Sequence, residues 1–330
     1  MSCPQDNCGD DTGHDFAARL QILNASGKAL VVENSNQGFG NVQKGGRAQF
    51  DCDSQGKAPK DWPGMACPGP GHRGNPNNTL APGWCNYNLF RTGGDIVSDF
   101  GVVMDKLQYT TPYQDTKDPI SRPGCWAYPD MLEVGNMQPL TPQGFIESRS
   151  HFGACALDLQ SLSSSAAFPC VNYSGNCSVT DLVGAGCVVS SPLVLGMDIT
   201  NATLLDAVWP ILSNRKAIEV NQAWAGHPGR LVLQGPIGTN PALGSEVWQC
   251  WAKTLPDGAQ AVFVVNRSDK PVTVTIPLAA LGVADGVHVY DIWGKDDSGT
   301  IEEHWVIENL RPHDSTFVTL TPPNASASAQ

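Results

Sequence analysis

Four times before residue 229 the chain repeats one pattern, a short apolar run that ends on polar or acidic residues. The first is Ala29-Leu30-Val31-Val32, ending at Glu33. The second is Leu89-Phe90-Arg91, leading into Thr92-Gly93-Gly94-Asp95. The third passes through Cys125-Trp126 to Asp130-Met131-Leu132, and the fourth is Ser191-Pro192-Leu193-Val194-Leu195-Gly196-Met197, ending at Asp198. A short, wholly apolar run such as the first suits a strand buried on both faces, as in a parallel sheet. Helical spacing lies between the runs. Phe16, Leu20 and Leu23 precede the first, with Gly27 as a stop; Phe145, Phe152 and Ala156 follow the third; Leu204, Leu205, Val208, Ile211 and Leu212 follow the fourth, opened by Asn201. Strand alternating with helix predicts an α/β fold, and four such units amount to about half of a (β/α)8 barrel.

After Gly229 the texture changes. Glu246–Ala252 and Ala261–Arg267 flank Pro256-Asp257-Gly258, a hairpin signal. Val272–Ile276, Val287–Ile292 and Thr316–Leu320 continue as short strands at sandwich-like intervals. The expected organisation is therefore a half-barrel over residues 1–228, an antiparallel β-sandwich over 229–322 and a tail over 323–330. Two long loops interrupt the first part, at 37–83 and 158–187; Cys52 with Cys67, and Cys170 with Cys177, are candidate staples for them.

Composition narrows the function classes. The net charge is −12 and no Lys/Arg cluster stands out, which excludes nucleic acid as a partner because phosphate binding needs gathered cations. No apolar run approaches the roughly 18 residues of a membrane span. The seven histidines are scattered without ligand spacing, so neither a metal nor an organic cofactor is expected. Eleven cysteines lack any Cys-x-x-Cys pair, and seven Asn-x-Ser/Thr sequences begin at Asn24, Asn77, Asn172, Asn176, Asn201, Asn266 and Asn324. Together these point to an oxidising, secretory compartment, and hence to a secreted or lysosomal/vacuolar protein. Met1-Ser-Cys-Pro-Gln-Asp-Asn-Cys8 has neither the basic nor the apolar part of a signal peptide. The expectation is that the natural start lies upstream.

In barrels of this kind, chemistry sits at the C-terminal ends of the strands. Four segments qualify: Glu33–Asn36, Arg91–Asp95, Asp130 and Asp198. Read alone, Asp95 after two glycines also fits a helix cap, and Asp130 after Pro129 an Asx turn. Their order decides the matter. Arg91-Thr-Gly-Gly-Asp95, Trp126-Ala-Tyr-Pro-Asp-Met-Leu-Glu-Val-Gly135, Ser191-Pro-Leu-Val-Leu-Gly-Met-Asp-Ile199 and Ala217-Ile-Glu-Val-Asn-Gln222 follow one another at suitable spacing. Together they resemble strands six, seven and eight of a glycoside hydrolase family 27 α-galactosidase and the segment that closes its barrel. Leu23–Lys28 is similar to the turn before strand five, and Val264–Arg267 and Tyr290–Trp293 to the family's β domain.

The resemblance implies a (β/α)8 barrel with a β-sandwich, of which this chain would hold about strands five to eight. It implies hydrolysis of terminal α-D-galactosyl residues from a galactoside or oligosaccharide by a retaining, two-carboxylate mechanism. Asp95 matches the acid/base, Arg91 a residue that contacts sugar and nucleophile, and Asp130 a carboxylate that binds the sugar. The strand-five recognition residue falls on Glu33 or on Asn36, depending on the alignment. The family's nucleophile is an Asp two residues before a cysteine. Cys3 fits that cysteine, which would put the Asp at position 1, where Met1 stands; the nucleophile is thus expected at or before Met1, and the chain itself to be inactive. Where the family usually has Asn-Asp before the strand-seven proline, this chain has Ala127-Tyr128. A non-catalytic carbohydrate-binding pseudoenzyme, and a glycosidase for β-L-arabinopyranosides or N-acetylgalactosaminides, are the alternatives. A homodimer stays open.

Overall fold

The computed structural model describes residues 22, 25–34, 88–92, 96, 100–114, 119, 121–132, 134, 179–236 and 247–323. Strands β1 (Glu33–Asn34), β2 (Leu89–Arg91) and β3 (Trp126–Tyr128) form a parallel sheet in that order. Glu33 is in register with Leu89, and Arg91 with Tyr128. A parallel bridge from Leu132 to Leu195 adds a fourth segment: Leu132 N–H donates to Val194 O, and Gly196 N–H to Leu132 O. Helices α1 (Phe100–Gln108), α2 (Thr111–Gln114), α3 (Val179–Val188), α4 (Ala202–Leu212) and α5 (Arg215–Gln222) accompany them. Asn201 and Asn214 cap α4 and α5, each side chain accepting from a backbone N–H three residues on. The helix read around His14–Leu23 falls almost wholly outside the described residues, and the one read from Pro142 wholly outside.

Three expectations need correction. The run Ala29–Val32 is not the buried strand it resembled: pairing begins at Glu33, and Leu30 and Val31 are 49% and 80% exposed. Among the described residues β1 has a paired strand on one side only. The fourth run forms a single bridge rather than a strand; its Pro192 offers no N–H to a ladder. The stretch 158–187 is not one loop, because its end is the first nine residues of α3. Gly184 and Gly186 weaken the helical signal there, yet they are what let this helix pack closely.

The second half carries two sheets. Strands β4 (Arg230–Gln234), β5 (Trp248–Thr254), β6 (Gln260–Asn266), β7 (Val272–Pro277), β8 (Val287–Asp291), β9 (Asp296–Ile301), β10 (His304–Leu310) and β11 (Ser315–Thr321) follow in chain order. The larger sheet runs β4-β5-β6-β11-β8-β9, and β10 pairs with β7 in the smaller one, all antiparallel. The Asp257-Gly258 turn closes the β5–β6 hairpin, with Gly258 at φ 82° and Ala259 N–H donating to the Asp257 carboxylate. β6 is buried throughout because both its faces are covered. Val262 and Val264 face Val274, Ile276 and Trp305 of the small sheet, whereas Ala261, Phe263 and Val265 share a core with α3, α5 and α1. The order is thus helices, large sheet, small sheet.

Polar contacts tie the first two layers. Asn214 Nδ2 donates to Ile292 O (2.8 Å), Arg267 pairs with Asp105 of α1 (3.1 Å), and Ser315 hydroxyl donates to the buried Asp181 of α3. Lys253, buried on β5, donates through Nζ to Val220 O and Asn221 O, the open carbonyls at the end of α5. Cys187 and Cys250 are buried free thiols, both pushed up by burial, Cys187 to about 12; Cys125 is disulfide-bonded.

A Cβ added to Gly184 would lie 2.9 Å from the fully buried Phe263 ring. Gly184→Leu should therefore lower stability by about 1–3 kcal/mol through overpacking, read as a shift in the denaturant midpoint; an unshifted midpoint would refute this contact. Burial lowers Lys253 from 10.5 to about 8. Between those pH values the unfolded chain holds a proton that the folded chain has released, so this group's contribution to stability rises with pH there. The stability of the native chain relative to Lys253→Met should grow from pH 8 to 10.5; a flat difference would contradict it.

Candidate functional site

Because the strands are parallel, their C-terminal ends fall on one side of the sheet, and the register decides which side chains meet there. Arg91 ends β2 level with Tyr128, and Asp130 follows two residues beyond on the exit of β3. Arg91 Nη2 donates to Asp130 Oδ2 at 2.6 Å, both side chains being largely buried. Ile96 N–H donates to the same oxygen at 2.6 Å, and Met131 N–H to Oδ1 at 2.7 Å. The last contact reaches only the next residue, whereas an Asx turn would reach the N–H two residues on. The other two are long-range, and they bind the segment after β2 to the exit of β3. Asp130 does this at φ 153°, a backbone region in which L-residues are strained by about 1–3 kcal/mol.

Glu33, on β1, completes the cluster. Partial burial of its carboxyl raises it above the ordinary carboxylate range; the Arg91 charge lowers it, and the Asp130 charge raises it again. Two anions and one cation from three successive strands therefore share one field. Such a set can hold neutral polyol hydroxyls by charge-assisted hydrogen bonds, accepting on the carboxylates and donating from the guanidinium. The strand carrying Glu33 is braced beside it, with Val32 N–H donating to the Asn88 side chain at 2.8 Å.

The structure thus brings together Glu33, Arg91 and Asp130. Asp95 and Asn36 lie outside the described residues. Asp198, at the end of the fourth run, is exposed and folded back on its own turn. Its carboxylate accepts from Thr200 Oγ1 (2.6 Å) and Thr200 N–H (2.9 Å), and those bonds hold it below the ordinary range. Sequence reasoning missed Ile96 N–H, which has no side-chain signature, and Thr92, whose fully buried hydroxyl meets no partner among the described residues. Ala127 and Tyr128, which replace the polar pair usual in the resembling family, are both buried in β3. Among the described residues no three His, Cys, Asp or Glu side chains gather as a metal site would require.

Residues 245–320 match the model of the alpha galactosidase C-terminal beta sandwich domain. An α-galactosidase of Oryza sativa subsp. japonica is 28% identical over 237 residues, 71% of this chain and 44% of that protein. An α-N-acetylgalactosaminidase of Gallus gallus is 26% identical over 249 residues, 74% of this chain and 47% of that protein. The chain spans about half the length of these relatives. The crystal structure of α-galactosidase I from Mortierella vinacea superposes with a TM-score of 0.58 at 16% identity, covering 96% of this chain and 66% of that one. That likeness speaks for the fold: a partial (β/α)8 barrel followed by an antiparallel β-sandwich.

The charge field makes opposite predictions for two substitutions. Arg91→Met removes the cation that lowers Glu33 and should raise its pKa further; Asp130→Asn removes an anion that raises it and should bring it down. Carboxyl-carbon NMR titration of Glu33 reads both. Shifts of the same sign, or none, would show that the three groups do not interact.

Proposed function

We propose, for a chain that is α-galactosidase-like and of glycoside hydrolase family 27 over the part its relatives share, that the ends of β1–β3 form the sugar-binding side of a retaining α-galactosidase site. One observation carries this reading: Arg91 and Asp130 pair at the C-terminal ends of neighbouring parallel strands, where barrel enzymes hold their substrates, with Glu33 on the adjacent strand within reach of their charges. Arg91 and Asp130 orient the sugar hydroxyls, and Glu33 serves as the strand-five recognition residue. Asp95 is the general acid/base, one residue before the Ile96 N–H that Asp130 holds.

In a retaining mechanism a carboxylate attacks the anomeric carbon while the acid protonates the departing oxygen; the acid then turns base and draws a proton from water. The attacking carboxylate is not assigned to any described residue. The activity proposed is that of the whole protein, hydrolysis of terminal α-D-galactosyl residues, and a secretory or lysosomal/vacuolar location goes with it. Likeness to the chicken enzyme named for N-acetylgalactosaminides makes that sugar the rival substrate.

The test is kinetic. Protein purified with every segment that its gene encodes should hydrolyse an aryl α-galactoside faster than the matching N-acetylgalactosaminide. Asp95→Ala should lower kcat/KM, which reports the first step, by roughly 10²–10⁴-fold on a substrate with a poor leaving group, and far less on a dinitrophenyl galactoside that needs no protonation to leave. Equal losses on both would remove Asp95 from the acid's role. A preference for the acetylated sugar would replace the substrate.

A further inference from the structure

Two of the seven Asn-x-Ser/Thr sequences begin at described residues, and their surroundings are opposite. Asn266, at the end of β6, is fully buried. Its Nδ2 donates to Lys270 O (2.8 Å), Leu310 O (2.9 Å) and Arg311 O (2.9 Å), and its Oδ1 accepts from Ser268 N–H and hydroxyl (2.9 and 2.8 Å). Every polar atom of this side chain stitches the β6–β7 turn to the end of β10. A sugar on Nδ2 would replace one of its two N–H donors, break the bonds that donor makes within this three-acceptor set, and need space that the packed interior lacks.

Asn201, in Asn201-Ala202-Thr203, is exposed, as is Thr203. Its Oδ1 accepts from Leu204 N–H at 3.1 Å, which caps α4, while its Nδ2 meets no partner among the described residues. The capping bond uses the oxygen and leaves the nitrogen in solvent. Glycosylation changes only the nitrogen, so the cap, worth about 1 kcal/mol, survives it. The helix start also sits downstream of Leu195, at the sheet end that carries Asp130, with open solvent around it.

We infer that Asn201 is an N-glycan acceptor and that Asn266 is a structural asparagine that carries none. The donor is an oligosaccharide linked to a lipid diphosphate. Asn201 Nδ2 bonds to its anomeric carbon, the anomeric C–O bond breaks, the lipid diphosphate leaves with the electron pair, and one amide proton passes to base; nothing is oxidised or reduced. Both sequences satisfy the same short motif, so only their environments distinguish them.

The test secretes the full chain from a eukaryotic host behind a cleavable signal peptide. Releasing glycans with peptide-N-glycosidase in ¹⁸O-water converts each occupied Asn to labelled Asp, and mass spectrometry of the peptides reads the position. Label is expected at 201 and absent at 266. Thr203→Ala destroys the motif and keeps the cap residue; Asn201→Asp destroys the acceptor and keeps a capping oxygen. Each should remove one glycan's mass from the secreted protein without changing its circular dichroism. An unlabelled Asn201 in the secreted, folded chain, or label at Asn266, would overturn the assignment.

Discussion

Helix α3 is the element on which the rest leans. Nine of its ten residues are buried, including Asp181, and it meets a different neighbour on each side. Through Gly184 it sits against Phe263 of the large sheet and Trp293 in the turn after β8. Through Gly186 it approaches Leu132 and Leu193, the two segments that bridge at the far edge of the parallel sheet. Its remaining contacts reach the cores of α1 and α5. Glycines are poor helix formers, by about 1 kcal/mol each relative to alanine, so their presence here is a packing solution. They shorten the distance between the α/β half and the sandwich until both draw on one apolar core.

That shared core explains why the sandwich is lopsided. Among the described residues one side of the large sheet packs on β7, β10 and the turn at Leu278–Leu281, and the other packs on helices. Lys253 shows how closely the two halves are fitted. A buried ammonium is expensive unless it is hydrogen-bonded, and this one finds its acceptors at the end of α5, where a helix leaves carbonyls unmet. The same economy governs the site. Asp130 accepts from the largely buried Arg91 guanidinium and from a backbone N–H with one oxygen, and removing one partner of such a pair typically costs about 3–5 kcal/mol. These contacts keep Arg91 and the segment after β2 at a set distance from the exit of β3.

Much of this was legible in the residues. Continuous apolar runs and the Pro256-Asp257-Gly258 turn marked β5 and β6, and Asn201 marked the start of α4. Strands β9 and β10 were not legible: Asp296-Asp-Ser-Gly-Thr has almost no apolar signal and its strand is exposed, and most of His304–Leu310 is exposed as well. Helix α3 hid behind its glycines, and Arg230–Gln234 lay at a boundary where pairing partners decide the structure. At the site, Arg91 and Asp130 stood out through the order of their motifs, while the strand-five position stayed open between Glu33 and Asn36. Their mutual geometry was not legible, since it depends on the register between β2 and β3. Apolar character misled at Leu30 and Val31, where hydropathy reports burial only if something covers the strand.

The central claim is that Glu33, Arg91 and Asp130 together hold a galactosyl ring. A crystal structure of the protein with galactose bound tests it most directly. The account predicts the sugar at the C-terminal ends of β1–β3, with its hydroxyls within hydrogen-bond distance of Arg91 and of the Asp130 or Glu33 carboxylate. Galactose bound at saturation elsewhere, with these three side chains untouched, would contradict it.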